Sequence, residues 1–523
     1  MDNKKILAVA AAACLAALDL HAAEPSDSEP IQKKEPYADS EKEMQLIDEL
    51  GRTVSTPLSK VAPGFQAQTV LGRRYQTPST KRGVRVPDKT LEKLDSIWQT
   101  LPSNVEFFPA APPRLQPYLY NLDQQGNTAA APGALFGAFP GIEPEVQQRK
   151  YWLSSYGLRY SVAQTLTYAS MGDVVKGDDS LAKYNFNLPL KWTVFDARGA
   201  GTAGWLSAQV QFQSALGGSP SQETVKTNLS TLTNPTGFWS THSSFRIPEL
   251  AWQQSFFSGR LVALAGVINQ ANYLDGNAYA NNGRGQFVNS ALTNSMVLPL
   301  PAYNYALNLQ WQPSSDWYTL LGYSVGNAGA GESPGTNFSW SNWSLEWEIG
   351  YAPSDFFGMG PGVYRIQPYV GRAGGAVQED SPGAAGPSGQ SVGVGLGINM
   401  EQQLGADSPL GLFGRFGFTN SQISAGAKQQ IGAGLVMLAP LSYAGWVPTL
   451  TNDLLGLGFV WSEPSATTKT IYHDNEHVLE AFYALQLTAM TRLQPDLQII
   501  WDPAFSREAG PITVFQCQFL LKW

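Results

Sequence analysis

The sequence predicts an all-β protein: a transmembrane antiparallel β-barrel of about sixteen strands with a short, partly helical N-terminal periplasmic extension. Three observations carry this prediction. Alternating segments fill residues 151–523, the last strand ends on an aromatic residue, and only 15% of the residues are charged. Soluble globular proteins carry about 25% charged residues. A barrel in lipid instead places neutral polar side chains toward its lumen and apolar ones outside.

The first 23 residues have the three parts of a secretory signal. Lys4 and Lys5 precede an apolar run over residues 6–18, and Ala22 and Ala23 provide a small-residue cleavage site. This pattern predicts a signal peptide and hence export. Once it is removed, Cys517 is the single remaining cysteine, so no intramolecular disulfide can form.

Residues 24–113 differ from the rest of the chain because they are rich in charge and proline and show little period-two alternation. Two short helices are predicted there, one opened by the capping box Ser40 to Glu43 and one after Pro87. We interpret residues 24–113 as a periplasmic extension, with a plug or a partner-binding arm as alternatives. The barrel domain is then residues 114–523.

From residue 151 onward the chain is a series of alternating segments bounded by turn-forming residues. The segment 342–351 is the clearest, because one face is aromatic or aliphatic and the other carries Glu346 and Glu348. The final segment, 510–523, likewise alternates, with Gln516 and Gln518 on the predicted pore side and Trp523 at the end. The segments begin near residues 151, 182, 203, 244, 259, 303, 316, 338, 361, 390, 409, 430, 453, 476, 491 and 511.

The connections test this interpretation independently, because outer-membrane barrels have short periplasmic turns and longer outer loops. Tight links at 258–259, 313–316, 405–409 and 491–492 alternate with long stretches at 215–243, 270–302, 373–390 and 463–475. Residues 439–452 break the alternation, since a long link stands where a short turn is expected. We therefore expect any slip in strand register to occur there.

Two motifs suggest catalysis but lack the context that the chemistry needs. Gly322 to Gly326 matches G-x-S-x-G around Ser324, yet no helix follows to form a nucleophile elbow. His473 and His477 have a spacing that could bring two imidazoles to one metal, but no third ligand is evident. We therefore predict neither an enzyme nor a cofactor or metal, and the net charge of -8 argues against nucleic acid.

An ordered set of short motifs resembles the OprB family of carbohydrate-selective porins. The motifs are GRLVALAG at 259–266, NYLD at 272–275, ANNGRGQF at 280–287, VLPLP at 297–301, QPSSDWY at 312–318, GLFGRF at 411–416, NDLLGLG at 452–458 and LQPDLQ at 493–498. The resemblance implies a sixteen-stranded barrel in the bacterial outer membrane, through which sugars diffuse down a gradient. It also implies a narrowed eyelet of charged and aromatic side chains.

The long connection 270–302 is the best candidate for a loop folded into the pore. It interleaves polar groups with aromatic rings, a combination that suits sugar hydroxyls and pyranose faces. On the strands, four charged side chains lie opposite apolar faces and are expected to face the lumen, because a charge toward lipid is costly. The predicted pore-lining residues are Tyr273, Asp275, Asn281, Asn282, Arg284, Gln286 and Phe287 on the loop, and Glu346, Glu348, Arg415 and Glu480 on strands. An ordinary surface loop is the alternative.

The predicted partners are small saccharides or other small polar solutes, and outer-membrane lipid. The terminal Trp523 resembles the signal that the barrel assembly machinery recognises. A homotrimer is left open, and no nucleic acid is expected. A general, weakly selective diffusion porin is the first alternative, and a barrel enzyme or adhesin in a Gram-negative outer membrane is the second.

Overall fold

A computed structural model of the chain describes residues 135–136, residue 153 and most of residues 158–522. Within the last range the gaps are 198–201, 218, 221, 238–242, 258–259, 282, 302–303, 315, 326–339, 341, 354, 373–391, 406–407, 421–425, 448–449, 451–452, 466–473, 489 and 507–508. The predicted signal peptide, the extension 24–113 with its two helices, Asn282, His473 and Trp523 therefore lie outside the described residues. The boundary between extension and barrel at residue 113 stays a prediction.

The described residues form one antiparallel sheet, with three short α-helices in the connections between its strands. The strands are β1 (Leu158–Tyr160), β2 (Ala163–Met171), β3 (Ser180–Ala197), β4 (Thr202–Leu216), β5 (Ser243–Phe256), β6 (Leu261–Ile268), β7 (Asn304–Trp311), β8 (Trp317–Val325), β9 (Trp343–Tyr351), β10 (Gly362–Arg372), β11 (Val392–Gln403), β12 (Leu410–Thr419), β13 (Ala427–Leu438), β14 (Leu454–Pro464), β15 (Glu476–Gln486), β16 (Thr491–Trp501) and β17 (Ile512–Lys522). The helices are α1 (Gln222–Leu229), α2 (Ser290–Thr293) and α3 (Pro440–Tyr443).

The sheet closes on itself, because each strand from β2 to β16 pairs with the next and β17 pairs back to β2. β1 and β2 occupy a single position in this ring, since both lie along β3 in one register. The break between β1 and β2 has a chemical cause in Pro189, which lies opposite it on β3. The Ser161 N–H donates to the Pro189 carbonyl at 3.1 Å, but proline has no N–H to return. The barrel therefore has sixteen strand positions, and the predicted fold class is confirmed.

Side chains alternate between an exposed apolar face and a buried polar face, as strand geometry requires. On β7, Tyr305 and Leu307 are exposed whereas Asn308 and Gln310 are buried. The closing strand β17 follows the same rule, with Phe515 among its exposed residues. This is the pattern of a barrel with lipid outside and a polar interior.

The link between β13 and β14 keeps the register that the sequence left in doubt. Leu438 pairs with Leu454, and the Ala439 N–H donates to the Asp453 carbonyl at 2.9 Å. The additional residues form α3 outside the ladder instead of shifting it. None of the helices in the described part of the chain is long and apolar enough to cross a membrane.

Candidate functional site

The β6–β7 connection, residues 269–301, folds against the inner face of the barrel. Its local turns are set by asparagine caps. The Asn269 side chain accepts from the Ala271 N–H to begin the 3-10 turn Gln270–Asn272, and the Asn289 side chain accepts from the Ala291 N–H to begin α2. Such caps satisfy N–H groups that a short helix leaves unpaired. The connection can therefore enter the interior in short turns without leaving polar backbone groups unbonded.

One arginine on β12 binds this connection at several points. Arg415 Nε lies 3.2 Å from both carboxylate oxygens of Asp275. Its Nη1 donates to the Leu292 carbonyl at 2.6 Å, and its Nη2 donates to the carbonyls of Ala280 at 2.7 Å and Asp275 at 3.1 Å. The Arg415 and Asp275 side chains are both buried. The planar fork of five donors in arginine explains how one side chain can fix three separated turns.

Glutamates of the inner wall bind backbone N–H groups of the same connection. Glu480 on β15 accepts from the N–H groups of Val288 and Asn289, the latter at 2.9 Å. Glu348 on β9 accepts from the Asp275 N–H at 3.1 Å, and Glu401 on β11 accepts from the Ala278 N–H. Hydrogen bonds to a carboxylate are roughly twice as strong as neutral ones. The wall glutamates therefore hold the connection in one position.

Glu348 and Glu401 are in turn held by neighbouring strands. Glu348 accepts from the Tyr318 hydroxyl at 2.6 Å and from the Gln367 amide at 2.7 Å. Arg365 donates to Glu401 at 2.7 Å, with both side chains buried. A buried charge is tolerated when it is paired and hydrogen-bonded. The wall therefore presents carboxylates whose orientation is fixed before the connection binds.

Aromatic residues anchor the apolar side of the connection. The Phe287 ring packs against Phe413 with centroids 5.1 Å apart and edge-on against Phe482 at 4.9 Å. The Tyr273 hydroxyl donates to Glu249 on β5 at 2.8 Å. Phe287 and Tyr273 are buried. These rings are therefore occupied by packing against the wall.

The remaining predicted residues are placed differently. Arg284 and Asn281 are partly exposed, and Arg284 Nη2 donates to Asn185 on β3 at 2.9 Å. Gln286 is buried and bonds back to the connection itself, at the Asn281 N–H and the Ala278 carbonyl. Glu346 lies on the inner face and is buried, but among the described residues no hydrogen bond joins it to the connection. The residues thus divide into buried anchors and partly exposed positions.

A second segment, the β4–β5 connection at residues 219–237, also reaches into the interior, and sequence reasoning identified it only as long. Glu476 accepts from the N–H groups of Leu232 at 2.7 Å and Thr233 at 2.8 Å, and from the Thr233 hydroxyl at 2.6 Å. Asn234 and Ser290 bond to each other twice, at 2.9 and 3.0 Å, and so join the two connections. The sequence feature that could have indicated this attachment is Glu476, which lies on the same face of its strand as Glu480.

The family described as "Carbohydrate-selective porin, OprB family" matches residues 195–520, which is more than half of the chain. The chain belongs to this OprB family. Its members and the solved structures it resembles are porins, which are channels and not enzymes. The protein is accordingly an outer-membrane diffusion porin of a bacterium.

One solved porin structure shares the fold, and a second has a weaker similarity. The high-pH structure of OprB from Pseudomonas putida is 16% identical to this OprB-family chain, with a TM-score of 0.59, and the match covers 75% of this chain and 99% of that one. OccK1 (OpdK) of Pseudomonas aeruginosa is 8% identical over 70% of this chain and 99% of its own, with a TM-score of 0.40. No functionally curated protein matched the chain.

The motifs that suggested catalysis lie in ordinary barrel contexts in this OprB-family porin. Ser324 is inside β8 and accepts from the Gln270 amide at 2.9 Å. His477 is on β15, with its Nδ1 3.3 Å from Asp502. No group of three or more potential metal ligands is arranged to hold an ion among the residues that the structure describes.

Proposed function

We propose that this OprB-family porin passes small saccharides by passive diffusion and that the β6–β7 connection forms its eyelet. The observation that carries the proposal is the attachment of residues 269–301 to the inner wall by Arg415, Glu348, Glu401 and Glu480. A segment bound so firmly inside a barrel narrows the passage to a fixed width. A fixed width selects solutes by size without a moving part.

Neutral solutes are favoured by the way the interior distributes charge. Asp275 is paired with Arg415, and Glu401 is paired with Arg365, so these buried charges are compensated locally. Neutral amides and hydroxyls supply much of the remaining inner face. They include Asn185, Asn187, Gln209, Gln213, Asn304, Asn308, Gln310, Gln516 and Gln518. These amides are buried, so they complete the inner wall without adding charge beside the passage.

We assign direct solute contact to the partly exposed residues of the β6–β7 connection. The side chains assigned to this contact are those of Asn281, Arg284 and Asn294, which are three of the partly exposed residues there. In the same proposal Tyr273, Asp275, Phe287, Glu348, Arg415 and Glu480 position the eyelet, because they are buried in contacts between the connection and the wall. Asn282 belongs to the predicted set by its place in the sequence. The weak, exchangeable contacts of exposed polar groups suit a channel that must release its solute.

Liposome swelling tests the proposed function. Reconstituted full-length protein is mixed with isotonic glucose, with disaccharides, and with amino acids of matched size. We expect faster swelling in the sugar than in the size-matched charged amino acid. Equal rates at equal size would indicate the general diffusion porin instead. No swelling above protein-free liposomes would refute channel activity.

The terminal Trp523 is proposed to direct folding by the barrel assembly machinery, and its substitution by alanine should lower the amount of barrel in outer-membrane fractions. Residues 24–113 are proposed to be a periplasmic extension. A homotrimer would appear as a threefold mass in light scattering of the detergent-solubilised protein, and a monomeric mass would exclude it.

A further inference from the structure

We infer that the β4–β5 connection forms a second constriction in series with the eyelet, and that Glu476 holds it in place. The inference rests on the proposed function, because a constriction matters only if solutes pass. It assigns a filtering role to residues 219–237 and a positioning role to one carboxylate. Neither follows from the β6–β7 connection alone.

Glu476 lies at the start of β15 on its inner face and is buried. Its carboxylate receives the N–H groups of Leu232 and Thr233, the Thr233 hydroxyl and, at 3.3 Å, the Ala504 N–H. Both oxygens are therefore fully occupied by donors from two connections at one end of the barrel. A carboxylate with this many donors has no spare capacity for a solute, so its contribution is positional.

The path of the segment shows that it crosses the interior. It leaves β4, and its contacts reach β15 and β16, on the far side of β3, β2 and β17 in the ring. Lys183 on β3 donates to the Thr236 carbonyl at 2.8 Å, and Gln498 on β16 donates to the Pro235 carbonyl at 2.8 Å. A chain that is bonded to separated strands of a closed barrel must occupy part of the opening between them.

The two segments are attached at different positions along β15. Glu476 and Glu480 are on the same face of β15, four residues apart, so they are separated by about 13 Å along the strand. Each binds two successive backbone N–H groups, Glu476 those of the β4–β5 connection and Glu480 those of the β6–β7 connection. The two segments meet where Asn234 bonds to Ser290. A solute would therefore pass one segment before it reaches the other.

The apolar side of the segment is also committed to the interior. Leu229 and Leu232 are buried, and Val225 of α1 is buried with them. Leu229 and Val225 belong to the same buried cluster as Phe287 and Phe413, which anchor the eyelet. Apolar burial keeps the segment inside the barrel, while the hydrogen bonds to the Glu476 carboxylate fix where its backbone lies. Weakening the hydrogen bonds to Glu476 should therefore loosen the segment without removing it from the interior.

The test uses Glu476→Gln in the full-length protein. Glutamine has the shape of glutamate but only one acceptor oxygen. Its amide N–H group would face two backbone N–H groups, which are donors as well. Hydrogen exchange at residues 232–233 should become at least about tenfold faster, as expected when hydrogen bonds to a charged group are weakened. Single-channel conductance should rise, and swelling in disaccharide should rise relative to swelling in glucose.

Glu463→Gln is the matched control, because Glu463 forms a partly exposed pair with Lys428 at 2.8 Å. Among the described residues, no hydrogen bond or ion pair joins either side chain to the β4–β5 or the β6–β7 connection. It should leave all three measurements unchanged. The inference would be overturned if Glu476→Gln exchanged faster but left the conductance and the ratio of disaccharide to glucose swelling unchanged. The segment would then loosen without affecting the width of the passage, so it would not be a constriction. A wild-type protein without conductance would instead refute the proposed function.

Discussion

Arg415 Nε lies 3.2 Å from both carboxylate oxygens of Asp275, although the two residues are 140 positions apart in the chain. This pair joins the wall of the barrel to the segment inside it. The remaining guanidinium donors bind backbone carbonyls of the same segment. One side chain thus bonds to three separate parts of the proposed eyelet, at Asp275, Ala280 and Leu292.

Arg415→Met should loosen the β6–β7 connection and leave the Asp275 carboxylate buried without its cation. Removing one partner of a buried pair costs about 3–5 kcal/mol. We expect higher and noisier single-channel conductance, and a lower midpoint of urea unfolding by tryptophan fluorescence. The double variant Asp275→Asn/Arg415→Met should unfold at a higher urea concentration than Arg415→Met alone. Equal midpoints for the two variants would show that the ion pair does not carry the effect.

Phe287→Ala should destabilise the same segment by removing its apolar anchor. Phe287 fills the space between Phe413 and Phe482, and truncating a buried phenylalanine costs about 3–5 kcal/mol. The check is the urea midpoint together with protease sensitivity of residues 283–290. Phe357→Ala is the control, because Phe357 is 87% exposed in a turn and should tolerate truncation. A Phe287→Ala variant as stable as the control would contradict the packing argument.

Phe459→Arg should destabilise the barrel in lipid, because Phe459 is exposed on the outer face near the middle of β14. An arginine facing lipid at mid-depth costs about 2–4 kcal/mol. Folding into liposomes, followed by reversible denaturation in guanidinium, measures the difference. Phe357→Arg, in the turn between β9 and β10, should cost much less. If both arginines cost the same, the exposed face of β14 does not contact the hydrocarbon core.

Arg284→Gln should change ion selectivity more than sugar flux. Arg284 is a partly exposed cation of the β6–β7 connection, and removing it lowers the local preference for anions. The reversal potential in a salt gradient should shift toward cation selectivity, while glucose swelling stays within error. Arg260→Gln, at an exposed turn residue, provides the control. An unchanged reversal potential would place Arg284 outside the conducting path.

The strands could be predicted from the sequence because their signal is local. Lipid on one face and polar groups on the other impose a period of two on each segment, and all sixteen predicted segments correspond to strand positions in the barrel. The interruption at Pro189 was not predicted, because proline removes a backbone donor without changing the period of two. The helix α3 was not predicted either, because it adds residues between two strands without changing that period. Only the pairing of the strands shows that the register continues past Pro189 and past α3.

The candidate site was less accessible to prediction because its contacts are long-range. Leu232 and Glu476 are separated by 244 residues, and Val288 and Glu480 by 192. The sequence indicates that a glutamate faces inward, but not which backbone N–H it will meet. For that reason Glu480 and Arg415 were identified as pore-lining, whereas their attachment to the β6–β7 connection emerged from the structure. Glu401 and Glu476 were missed for the same reason.

The pairing of β17 with β2 has a consequence for how the protein is made. Every other pairing in the ring joins consecutive strand positions, but this one joins the first strand position to the last. Until the C-terminal strand arrives, the growing sheet has two open edges that could pair with any other chain. Such long-range closure is slow. A newly made chain is therefore open to edge-to-edge association for as long as its final eleven-residue strand is unpaired.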